Sequence, residues 1–135
     1  MTDLSPEERA ILYQGKDAPL EFLEALLARA GQVHASAVGF AGLESDTYRV
    51  YRLIWEQGPA AIPVFERILG SGTPAARLYA AQGLRRLGQN AAANQALAAL
   101  EACEEKVGYL SGCMMLSPSA GELAAQWRKT ADITL

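Results

Sequence analysis

Residues 72–88, GTPAARLYAAQGLRRLG, constrain the fold more than any other stretch of the chain. Thr73 is a good helix N-cap, and Pro74 suits a first helical position, where its missing N–H would have had no partner in any case. Gly88 is a natural stop. Between these signals Leu78, Ala81, Leu84 and Leu87 recur at helical spacing and form a seam, while Arg85 and Arg86 are expected to point away from it. Ala80 and Ala81 leave room for a neighbouring helix to approach closely. A helix of this kind is stable only when others pack on it, so its surroundings are expected to be helical too.

The rest of the chain supports that expectation. Half of its 135 residues are apolar, enough for one continuous core, and alanine and leucine far outnumber valine, isoleucine and threonine. Ser5-Pro6-Glu7-Glu8 carries the signature of a capping box that opens a first helix ending near Gly15. Asp17 is expected to cap a second, APLEFLEALLARA, whose Leu20, Leu23 and Leu27 with Phe22 and Leu26 make a wide apolar stripe before Gly31. Ser45 suits the N-cap of DTYRVYRLIWEQ. Pro59 and Pro63 mark the opening of AAIPVFERIL, which is expected to pair antiparallel with the helix before it. Beyond Gly88, NAAANQALAALEAC forms the partner of the 74–87 helix, and Ser119 with Glu122 opens a last helix through Trp127. Two stretches stay open. Residues 32–43, QVHASAVGFAGL, have no clear type; in 106–117, alternating Val107, Tyr109, Cys113 and Met115 suit a short extended segment, whereas Gly108 and Gly112 suit a loop.

Pro74, Arg77, Ala80, Ala81, Leu84 and Gly88 occupy the places of proline, arginine, paired small residues, leucine and glycine in the first helix of a HEAT-like repeat, which this segment resembles. AAIPVFERILGSG is similar to the second helix of a preceding repeat, and ANQALAALEA to the second helix of the same one. The resemblance covers about residues 59–102, more loosely from Ser45. It implies an all-α fold, a short α-α superhelix of helical hairpins, in which each pair buries its apolar face against the next. In a single domain over 1–135, residues 1–44 would then be N-terminal capping helices, 45–105 the repeat core and 106–135 a C-terminal cap. The resemblance also implies a structural role for Arg77, its stem between helices and its head bonded to a loop or a neighbouring acid.

Charge narrows the function classes. The net charge of −3 gives no general attraction to nucleic acid or to an anionic membrane, and no apolar run reaches the ~18 residues of a membrane span. The opening MTDLSPEERA lacks the layout of a secretory signal, so a cytoplasmic location is the expectation. The balance is uneven. Residues 1–46 hold eight acids against Arg9, Lys16 and Arg29, whereas residues 47–100 hold six arginines against Glu56 and Glu66. Those arginines either pair with the acidic N-terminal segment or form a groove for an acidic partner. Cys103 and Cys113, with a single histidine in the chain, offer too few ligands for a structural metal, and no cofactor motif is present. Whether the two cysteines are bonded stays open. His34 has no serine, cysteine or carboxylate in a recognisable sequence relation to it, so it is assigned to packing or the surface.

Helical repeats of the kind resembled are commonly binding scaffolds, which implies a non-enzymatic protein–protein interaction module or a small accessory or inhibitor (immunity-like) protein. The candidates to meet a partner are Tyr48, Arg52, Trp55, Arg85 and Arg86, since aromatic and arginine side chains dominate interface energetics; the alternative is that Tyr48 and Trp55 belong to the core and the arginines are solvated. The partner would be another protein, acidic where it meets Arg52, Arg85 and Arg86. Met114 and Met115 are expected to fill the end of the core; left exposed, they would instead offer an adaptable patch for self-association into a homo-oligomer. The alternative is a small-molecule-binding or lyase-like HEAT-repeat protein.

Overall fold

The structure, a computed structural model, describes residues 4–39, 41–130 and 135, with the Lys16 side chain left aside. Among these residues the helices are α1 (Pro6–Leu12), α2 (Leu20–Ala28), α3 (Asp46–Trp55), α4 (Ala61–Ser71), α5 (Pro74–Arg86), α6 (Asn90–Leu100) and α7 (Ala120–Thr130). Three strands accompany them: β1 (Gln32–Val38), β2 (Gly108–Gly112) and β3 (Met114–Leu116). The all-α expectation is therefore corrected to a mixed α/β fold. β1 and β2 run parallel, β2 and β3 antiparallel, in the order β1-β2-β3.

Both stretches whose type the sequence leaves open become strands, for a reason that is not local. Val33 stands opposite Tyr109 in the parallel pair; Val33 is fully buried, and the ring of Tyr109 meets Trp127 of α7 edge-on at 6.3 Å. Neither strand could bury these residues alone. Each becomes worth forming only when the other arrives from 76 positions away, from Val33 to Tyr109. The β2–β3 hairpin is more readable. Ser111 pairs with Met114 across Gly112 and Cys113, and Gly112 sits at φ +57°, as the first position of a two-residue hairpin turn requires.

α5 is the axis of the molecule. Ten of its thirteen residues are buried, and it packs against α2, α3, α4, α6, α7 and β1. That is also why the α-α superhelix is corrected: in a solenoid each pair meets only its neighbours, whereas here one helix is enclosed on all sides. Small residues make the enclosure feasible. A Cβ at Gly83 would lie 2.4 Å from two ring carbons of Phe65, so glycine is what lets α4 seat against α5. The core continues through Tyr51, stacked obliquely on Tyr79 at 5.1 Å and on Phe65 at 6.0 Å. α3 packs principally on α2, and α4 on α5, in place of the α3–α4 hairpin expected from the short join.

Most caps form as their sequences dictate. Ser5 and Glu8 complete a capping box, Ser45 accepts from Tyr48 N–H, Thr73 from Ala76 N–H, and Ser119 from Glu122 N–H. Asp17 is an exception: it lies in a 3-10 turn (Gly15–Asp17), and α2 begins after Pro19 without a side-chain cap. Arg77 Nε donates to the Gly72 carbonyl at 2.9 Å, tying the α4–α5 turn.

Candidate functional site

The structure draws some of the expected contact residues together and removes others from the surface. Tyr48 is buried, its ring edge-on to Tyr51 at 5.4 Å. Trp55 is half-buried, and the Arg86 guanidinium lies over its ring at 4.2 Å. Arg86 also donates through Nε and Nη2 to the Leu135 carbonyl, at 3.2 and 2.6 Å. Burial pushes the Tyr51 phenol far up, an effect that the nearby Arg86 charge partly offsets. Tyr48, Trp55 and Arg86 thus form one cluster. Arg85 does not belong to it and does not point outward: it is 6 % exposed and donates to the Trp127 carbonyl at 3.1 Å and to Asn94 Oδ1 at 2.6 Å. One residue of difference on a helix turns a side chain by about 100°, from the flank over Trp55 to the seam with α6 and α7.

Arg52 is engaged as well. Its Nε lies 2.6 Å from Glu44 Oε2, its Nη2 3.1 Å from Glu44 Oε1, and its Nη1 2.8 Å from Glu56. Arg49 also reaches Glu44, and Arg67 reaches Glu24 at 2.7 Å. The charge asymmetry of the sequence is answered in part inside the molecule, where Arg49 and Arg52 meet Glu44 and Arg67 meets Glu24 of the acidic N-terminal segment.

The open surface lies elsewhere, on the sheet. The outer edge of β1 is closed: the Tyr79 hydroxyl accepts from His34 N–H at 2.5 Å and donates to the His34 carbonyl at 3.3 Å, and α3 and α5 cover the strand. β3, at the other edge, packs chiefly on β2. Its three side chains are all exposed, Met114 by 61 %, Met115 by 50 % and Leu116 by 48 %. No residue from Gly108 to Ser119 is charged, so the edge lacks the lysines and bulges that usually guard such strands. Beside it, between β3 and α7, runs a groove of about 530 Å³ lined by Tyr109, Leu116, Pro118, Leu123 and Trp127 among others. Cys113, in the hairpin turn, and Cys103 are free thiols.

His34 has polar partners that its sequence neighbourhood does not announce. Its Nδ1 lies 2.8 Å from Ser45 Oγ and its Nε2 2.9 Å from Gln32 Oε1. Burial holds the imidazole below its ordinary value. Ser45 is eleven positions away, a spacing with no motif attached; the chain brings it back because Val38 and Leu43 exchange backbone hydrogen bonds in a tight reversal. The useful signal was Ser45 itself, read as a helix cap.

No group of histidine, cysteine or acidic side chains among the described residues has the arrangement of a metal site, and no helix among them is long and apolar enough to cross a membrane. No protein-family model, curated protein or solved structure matches the chain.

Proposed function

We propose that this protein is an interaction module that binds another polypeptide by strand addition at the free edge of β3. The observation that carries the reading is the pairing of an uncharged, exposed edge with an adjoining groove in which Tyr109, Leu116, Leu123 and Trp127 form an apolar floor beside Glu122, Gln126 and Thr130. Strand addition needs both features: main-chain groups at the edge supply affinity, and a pocket for alternate side chains supplies selectivity. Met114 and Met115 suit such a role, since methionine repacks readily against an incoming surface. The occupant is an extended, uncharged segment of a partner protein that places an apolar side chain against Leu116 and Trp127. Of the arginines first considered for an acidic partner, Arg52 is paired with Glu44 and Arg85 is buried on Asn94, which favours the sheet over α3 and α5 as the contact.

The test is affinity capture with the wild-type chain and with Met115→Lys in parallel, after circular dichroism shows equal folding. A stoichiometric protein recovered by the wild type and lost by the variant supports the reading. Equal recovery by both, or none by either, overturns it. Light scattering adds an arm: a dimer that Met115→Lys dissociates would show the edge occupied by a second copy rather than by a different protein.

A further inference from the structure

We infer that Ser45, His34 and Gln32 form an acyl-accepting centre, with Ser45 Oγ as nucleophile, His34 Nδ1 as base and Gln32 as the positioning residue. The centre itself contains no residue of the docking edge. Its ground is the row of short polar contacts, His34 Nε2 to Gln32 Oε1 at 2.9 Å and His34 Nδ1 to Ser45 Oγ at 2.8 Å. With Gln32 Oε1 as an acceptor, the matching tautomer carries its proton on Nε2 and turns the Nδ1 lone pair to the Ser45 hydroxyl. This is the tautomer a base needs. The order nucleophile, imidazole, carboxamide is also that of the cysteine–histidine–asparagine form of the catalytic triad. Burial favours the neutral imidazole, the form with a free lone pair, and disfavours the imidazolium that proton transfer would create.

The position of Ser45 adds an electrostatic element. It caps α3, whose ten residues end their dipole at this hydroxyl. The amides of Tyr48 and Arg49 are taken by Ser45 Oγ and O. Those of Asp46 and Thr47, at the first two helical positions, have no acceptor within the helix, and as the amides that follow Ser45 they are the donors the inference assigns to the oxygen of an attacked carbonyl. The Asp46 carboxylate, which would oppose that charge, is held by Arg9 at 3.0 Å and the Tyr13 hydroxyl at 2.8 Å. All three residues of the centre are half-buried and so remain within reach of solvent.

The sheet register indicates the substrate class. His34 pairs with Leu110, and Leu110 with Met115, so the three stand in one row on one face. An ester of a short apolar acid would lay its acyl chain along that row. Ser45 Oγ forms a bond to the acyl carbon and its proton passes to His34 Nδ1; the bond from carbon to the leaving oxygen breaks, and that oxygen departs as an alcohol with the proton from His34. Water then attacks the acyl-serine by the same path, giving the acid and free Ser45.

The experiment uses the full chain with Cys113→Ser, because that exposed thiol would itself react with an activated ester. p-Nitrophenyl acetate is added, nitrophenol release is followed, and peptide masses locate the acetyl group. Acetylation at Ser45 is expected, slowed about a hundredfold or more by His34→Gln, the scale of a lost general base. Ser45→Asn, which keeps a capping side chain, should abolish it. Gln32→Ala should slow it and Gln32→Glu restore it, a rescue that a packing role alone would not give. Acetyl groups found only on lysines, or an unchanged rate in His34→Gln, would overturn the inference. If Ser45→Asn does not fold, His34→Gln and the two Gln32 variants decide the matter.

Discussion

Gly83 shows how one side chain, or its absence, sets the packing of two helices. An added methyl group would sit 2.4 Å from carbons of the Phe65 ring, and that ring is itself fully buried beside Tyr51. There is no flexible neighbour to yield. Gly83→Ala would favour the isolated helix by about 1 kcal/mol, yet overpacking costs of about 1–3 kcal/mol and more oppose it. A net loss of stability is expected, read as a lower urea midpoint; a midpoint equal to or above that of the wild type would show that α4 and α5 can separate without cost. Arg85 and Arg86 give the complementary lesson. Two identical neighbours in sequence have unlike fates, one buried on Asn94 and the Trp127 carbonyl, the other stacked on Trp55. Helical spacing alone told where Leu78, Ala81 and Leu84 would lie, but it said nothing of what α6 and α7 would place over Arg85, so an arginine was assigned to the surface by default.

At the scale of elements, Thr73 joins two helices that are distant in sequence. Its hydroxyl accepts from Ala76 N–H at 3.1 Å and donates to the Ala30 carbonyl at 2.5 Å, while its own N–H meets the Ala28 carbonyl at 3.0 Å. The start of α5 is thereby pinned to the end of α2. Thr73→Ala removes the cap and strands a carbonyl, a loss of about 2 kcal/mol from the two contributions together. Thr73→Ser should recover most of it in thermal melts; equal loss in both variants would locate the effect in the methyl group. The cap was legible from Thr73-Pro74 alone. Its second bond was not, because Ala30 is 43 positions away.

The whole molecule is closed by its ends. β1 comes from the first third of the chain and β2 from the last, and their parallel pairing passes around α3, α4, α5 and α6. α5 packs on α2, β1 and α7, all of which lie outside residues 45–105, so a fragment of that span loses these contacts together. The 45–105 fragment is therefore expected to show no cooperative thermal transition by circular dichroism. A sigmoidal melt would show that α3 to α6 hold together without them. Sequence by itself determined the helices, because caps, prolines, glycines and 3.6-residue spacing act within a few positions: Ser5, Ser45, Thr73 and Ser119 each cap as read. Only the tertiary structure decided the sheet, the burial of Arg85 and the meeting of His34 with Ser45. Each of these depends on what a distant or reversed segment supplies, and a strand as short as β1 or β2 gains its stability from that partner rather than from its own residues.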